Sequence, residues 1–273
     1  MYSVDPRSLH SKLLNDPALA EVYWFLAAKT GLVPTIGKAI RKAFDEVIDG
    51  PRTGRFQIEQ LEKTEKTYIG TKVEIVLRAE LELERGRVLD NLICGHEVDT
   101  KFSIRAEWMI PREAVGQICL LVAGDDNLGT FVTGLLRMTE DVLTVGSNQD
   151  GKRSISAKGR KEIVWLALNE SMPKNFLLHL PTGIREKIMR QQSGKQRVKA
   201  LFQNVTHQII PRTAIEQVAQ QKDPMKRARE MKEELALEGF QVLCSTYDID
   251  REFFRRHGFH NFTKGDWLSI RRF

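Results

Sequence analysis

The sequence predicts an α/β chain in two parts: a mixed sheet flanked by helices, then a mainly helical second domain. Two observations predict it. Apolar residues keep helical spacing up to about residue 83, then change to short alternating or continuous runs from residue 87. The basic excess is confined to one end: residues 1–168 hold 23 Lys and Arg against 24 Asp and Glu, whereas residues 169–273 hold 19 against 12. The boundaries expected are therefore 1–168 and 169–273, each long enough to bury its own core.

Each element follows from its local pattern. Residues 17–48 predict a helical pair interrupted around Gly31 to Pro34. Gly50, Pro51 and Gly54 predict a turn and a basic loop in "DGPRTGR", 49–55. Residues 58–83 predict a helix that buries Leu61, Tyr68, Val73 and Leu77, with Glu74 among them. "RVLDNLICG", "HEVDTKFSIRAEW", "GQICLLVAGDD" and "FVTGLLRM" predict strands, and "QICLLVAG" is apolar enough to be central. A polar loop, 147–161, then leads into a short helix, "KEIVWLAL". Composition and charge shift together near "NESMPKN", 169–175. Beyond it come helices in "PTGIREKIMRQQ", "KQRVKALFQNVTHQI", "RTAIEQVAQQ" and "DPMKRAREMKEELALE", and closing strands in "FQVLCSTYDID" and "GDWLSIRRF".

Composition narrows the functional classes. With 41% hydrophobic and 29% charged residues, and no apolar run near the roughly 20 residues of a membrane span, a soluble protein is expected. The start, "MYSVDPRSLHSK", lacks the basic-then-apolar layout of a secretory signal. Cys94, Cys119 and Cys244 are odd in number and far apart, which fits a cytoplasmic protein with neither a disulfide framework nor zinc spacing. The localised positive charge fits a polyphosphate partner, since neutralising phosphates releases counterions.

Residues 212–231 predict two short helices with a tight break, because Asp223 suits an N-cap and Pro224 the first helical position. The second helix would present Lys226, Arg227 and Arg229 near its N-terminal end, the part of a helix-turn-helix that reaches base edges. Lys195, Arg197 and Lys199 form an expected phosphate-contacting patch, and Arg212 joins them. The plain alternative is a helical hairpin with a solvated basic face.

In the first part, "GHEVDTKFS", 95–103, puts Glu97, Asp99 and Lys101 on one strand face by a period of two. That face is either solvent or a place where a metal and a water are held. Phosphodiester hydrolysis uses a hard divalent cation, bound by one or two carboxylates, with another cation near the attacking water. Asp99 and Lys101, Asp90 on the neighbouring strand and Glu74 on the preceding helix make such a set. Glu97 is left to solvent, and His96 points to the other face.

The strings "DGPRTGR", "QLEKTEKTYIGTKVEI", "VDTKFS", "EWMIPREAVGQICL", "KNFLLHLP" and "RTAIEQVAQQKDPMKR" resemble the restriction endonuclease NaeI family from about residue 45 to 235. The resemblance implies a PD-(D/E)xK endonuclease fold followed by a winged-helix, catabolite-activator-like DNA-binding domain. It implies catalytic positions at Glu74, Asp90, Asp99 and Lys101, with Mg²⁺ held by Asp90, Asp99, Glu74 and the backbone carbonyl of Thr100. Thr100 stands where the family pattern suggests a cysteine. The implied activity is type II site-specific hydrolysis of double-stranded DNA to 5′-phosphate and 3′-hydroxyl ends by a homodimer, activated by a second DNA site. A non-catalytic helix-turn-helix regulator and a structure-selective repair nuclease are the alternatives. "VIDG", 47–50, is similar to the nucleophile motif of DNA ligases, but Val47 occupies the lysine position and offers no amine, so the string reads as a turn.

Overall fold

The structure is a computed structural model and describes residues 11–272. The N-terminal run read for a signal therefore lies almost wholly outside the described residues. Two compact units divide the chain: one runs to Val47 and resumes over Leu61–Lys174, and the other combines Ile48–Gln60 with the chain from Asn175 onward. The expected line at 168/169 falls inside a strand.

The first unit opens with helices α1 (Pro17–Ala27) and α2 (Leu32–Ile48). Asp16 caps α1 by accepting from the Leu19 amide at 3.0 Å, with Pro17 in the first turn. A four-residue helix, α3 (Gly50–Thr53), belongs to the other unit, and α4 (Lys63–Glu80) returns to the first. Helix α4 begins with a capping box in which Glu62 and Glu65 satisfy one another's exposed amides. Its buried face holds Ile69, Val73, Val76 and Leu77, while Tyr68, expected inside, is exposed.

Eight strands follow: β1 (Glu84–Arg85), β2 (Asn91–Ile93), β3 (His96–Ser103), β4 (Met109–Ile110), β5 (Ile118–Asp125), β6 (Thr130–Arg137), β7 (Arg153–Ser154) and, after α5 (Ala157–Glu162), β8 (Val164–Ser171). Six form one mixed sheet in the order β1-β2-β3-β5-β6-β8; only the β3–β5 pair is parallel. Strands β4 and β7 form a separate ribbon. The central position of β5 explains its unbroken apolar run, since both of its faces are covered. Helix α2 lies over the sheet: Phe44 meets Phe102 edge-on at 5.8 Å, and Gly124 leaves the room that Ile40 fills.

The segment "KEIVWLAL" is a correction. It is mostly strand β8, with the helix placed before it at α5. A short apolar run does not distinguish helix from strand by periodicity, and pairing with β6 decides it here.

The second unit contains α6 (Thr182–Met189), α7 (Gly194–Asn204), β9 (Ile209–Ile210), α8 (Arg212–Ala219), α9 (Pro224–Ala236), β10 (Phe240–Cys244), α10 (Asp248–Arg256) and β11 (Trp267–Arg271). Its antiparallel sheet runs β10-β11-β9. Leu201, Phe202, Val218, Met231 and Trp267 share its core. The "DGPRTGR" segment is more ordered than a basic loop: Asp49 takes a left-handed φ of 48°, which ends α2, and α3 follows directly. Gly50 of α3 is so close to α8 that a Cβ there would lie 2.5 Å from Gln217. Helix α10 lies between the closing strands and was not foreseen, although Asp248 and Asp250 at its start and Arg255 and Arg256 at its end complement a helix dipole.

Candidate active site

The site begins with a two-residue hairpin. Cys94 and Gly95 both have positive φ, 52° and 81°, the backbone demanded by a type I′ turn between twisted strands. That turn sets the register Ile93 to His96, Leu92 to Glu97 and Asn91 to Val98. One step further along the same register brings Asp90 opposite Asp99. The parallel neighbour sets Asp99 beside Cys119 and Lys101 beside Leu121. The row that is charged on β3 is thus apolar on β5, where Cys119, Leu121 and Ala123 enter a buried cluster with Trp108 and Leu136. The acid pair sits against the edge of a hydrophobic core.

A cavity of about 410 Å³ opens on this row, lined by Glu74 and Arg78 of α4, by Asp90, Asp99 and Lys101, and by Arg85 of β1 among others. Glu74, Asp90, Asp99 and Lys101 are therefore brought together. Lys101 Nζ lies 2.7 Å from Asp99 Oδ2. Asp90 Oδ2 accepts from the Thr100 amide at 2.8 Å, and Arg78 donates to the Asp90 carbonyl at 2.9 Å. The Thr100 side chain is buried on the opposite face, where its hydroxyl accepts from Asn91 Nδ2 at 2.9 Å.

Burial first, and then the charge of Asp90, push the Glu74 carboxyl up to about 7. Asp99 is pushed up to about 6, chiefly by burial and further by Asp90, against the Lys101 contact that stabilises its charge. Burial opposes the charge of Lys101, but the bond to Asp99 and the nearby carboxylates hold its ammonium above the usual lysine range. Crowded, half-desolvated acids at one point are the signature of a functional cleft. Among the described residues no three His, Cys, Asp or Glu side chains form a ready-made cation cage. Mg²⁺ does not need one, because it keeps several waters and takes one or two carboxylates plus substrate phosphate. Two facing carboxylates, one of them with its proton affinity raised by burial and further by its neighbour, fit that requirement.

Glu97 is not left to solvent. It accepts from the amides of Arg87 at 2.8 Å, Val88 at 3.3 Å and Leu89 at 2.9 Å, which draws its carboxyl below the usual range. Sequence spacing could place Glu97 on the charged face but could not show the loop that folds back onto it. Arg78 was also missed as a cavity residue; its position four residues beyond Glu74 was the available signal. His96 is held outside the site by Glu21, 2.8 Å away.

In the second unit, α8 ends at Gln220 in a left-handed conformation, and Asp223 caps α9 by accepting from the Lys226 amide at 3.0 Å. The basic residues do not form one free patch. Arg197 donates to the carbonyls of Val218, Ala219 and Gln191, clamping α7 to the end of α8. Lys199 is neutralised by Glu234 and Glu238, both at 2.6 Å, and Lys195 meets Glu234 at 3.1 Å. Arg212 pairs with Glu216 and Arg227 with Glu230. Lys226 and Arg229 lie near the start of α9, and both are exposed.

Two comparisons bear on this arrangement. A sequence model of the family described as Restriction endonuclease NaeI matches residues 33–273. The type II restriction enzyme NaeI of Lentzea aerocolonigenes is 39% identical over 198 residues, which cover 70% of this chain and 62% of that relative's length. With the family match extending over both compact units, this chain belongs to the restriction endonuclease NaeI family.

Proposed function

We propose that the chain is a Mg²⁺-dependent type II restriction endonuclease that hydrolyses double-stranded DNA to 5′-phosphate and 3′-hydroxyl ends. The observation that carries this is the convergence of Glu74, Asp90, Asp99 and Lys101 on one cavity, read with the family membership. Asp90, Asp99 and the Thr100 carbonyl would hold the cation, with Glu74 beside them. When bound, the cation polarises the scissile phosphate and acidifies a water. Lys101 orients the attacking water and offsets charge on the phosphate, a role favoured by its anchored, half-buried ammonium. Glu74, with a carboxyl balanced near neutrality, can hold or release a proton at the cavity wall.

Helices α8 and α9, followed by β10 and β11, support reading the second unit as a winged-helix DNA-binding domain. Its reading end is the start of α9, where Lys226 and Arg229 can meet the duplex. Cleaving both strands of a symmetric site calls for a homodimer. Activation by a second DNA site is carried over from the family resemblance and comes with the same reading.

Incubation with plasmid DNA and Mg²⁺ tests the proposal. Discrete fragments with ligatable ends support it. Absence of cutting points to a regulator, and smearing or cleavage only of damaged DNA points to a repair nuclease.

A further inference from the structure

We infer that Glu97 is a positioning residue for Asp90, acting through the loop at residues 86–90. This rests on the reading of Asp90 and Asp99 as the cation-holding pair. Asp90 stands just before β2, as the last residue of a five-residue connection, Gly86–Asp90, after β1. Such a connection needs partners for its amides. Glu97 supplies them from across the hairpin, Oε1 taking Arg87 and Oε2 taking Val88 and Leu89. The fit leaves no space: a Cβ on Gly86 would lie 2.4 Å from Glu97 Oε2 and 2.4 Å from the Leu89 carbonyl.

Asp90 is then fastened at its main chain by Arg78 and by the Gly86 amide, 3.3 Å from its carbonyl, and at its carboxylate by the Thr100 amide. Glu97, Asp99 and Lys101 lie on the same strand face. One strand therefore carries one member of the acid pair and also the group that aims the other. Removing outer partners of metal-holding groups typically costs roughly 10- to 100-fold in metal affinity or activity.

The test uses the full chain with Glu97→Ala, Glu97→Gln and Asp90→Ala, read by calorimetric Mn²⁺ affinity, amide exchange over 84–92 and half-saturating Mg²⁺ in single-turnover plasmid cleavage. Glu97→Ala should speed exchange at Arg87, Val88 and Leu89, weaken Mn²⁺ roughly 10- to 100-fold and raise half-saturating Mg²⁺ by a similar factor. Affinity for DNA should not change. Glu97→Gln keeps one acceptor oxygen and should fall between. Wild-type Mn²⁺ affinity in Glu97→Gln, together with loss in Asp90→Ala, overturns the inference even if the alanine variant does not fold. Wild-type Mn²⁺ affinity in Asp90→Ala shows instead that the cation-holding reading is wrong.

Discussion

Asp90 and Asp99 face one another because Cys94 and Gly95 turn the chain with two left-handed residues, and every pair behind that turn inherits its register. A distortion at the turn should therefore reach the acids. Replacing Gly95 by valine forces a β-branched residue into φ +81°, at a cost on the order of 1–3 kcal/mol. The expected result is a lower midpoint in urea and a cleavage rate that falls by more than the loss of folded protein explains.

Lys101→Ala should reduce single-turnover cleavage by at least about 100-fold, the usual cost of removing a preorganised charge-stabilising group. DNA affinity measured without a supporting divalent cation should stay near the wild-type value. Persistent cleavage would show that Lys101 is misassigned.

Gly86→Ala should reproduce the effect of removing Glu97, since the new Cβ and the Glu97 carboxylate cannot share the same space. The exchange pattern over 84–92 is the readout. A protected loop in this variant would mean that Leu89 and its neighbours have moved without releasing Glu97.

Lys226→Ala with Arg229→Ala should weaken DNA binding and flatten the dependence of log affinity on log salt, by about 1 in slope for each phosphate no longer neutralised. Lys199→Ala should leave that slope unchanged, because Glu234 and Glu238 already neutralise it. Equal slopes for all variants would move the DNA-contacting surface elsewhere.

Asp16 gives a pH prediction away from the cavity. Arg137 grips both of its oxygens, at 2.8 and 2.9 Å, and with the Leu19 amide holds the carboxyl below its ordinary value. A lowered folded-state pKa contributes stability above the unfolded value of about 3.9, and loses it as pH falls through the folded one. Asparagine still offers an N-cap acceptor, so Asp16→Asn removes mainly the charge that Arg137 grips, and solvent screens that partly exposed ion pair. Asp16→Asn should thus cost at most about 1 kcal/mol near pH 7, and the difference should shrink below about pH 4. Denaturant midpoints across that range measure it.

Much of the site was legible because a strand's period of two is rigid. It grouped Glu97, Asp99 and Lys101 on one face, and hairpin distance added Asp90. The job of Glu97 was not legible, since it depends on amides of a loop whose path no local pattern specifies. Arg197 misled for the opposite reason: its charge suggested phosphate, whereas backbone carbonyls at the end of α8 claim it. Tyr68 is exposed while Ile69 beside it is buried, because aromatic size says little about which side of a helix meets the sheet. The run around Val164 was ambiguous in itself, and only its partner β6 makes it a strand.

The short helix α3 comes from the N-terminal half of the chain yet lies within the second unit, packed on α8. The second unit is therefore not a cassette. Residues 175–273 expressed alone would lack the piece that fills the space beside Gln217, so transplanting this unit onto another protein requires carrying residues 48–60 with it. A chain interlaced in this way resists the simple shuffling by which DNA-reading modules are exchanged between enzymes.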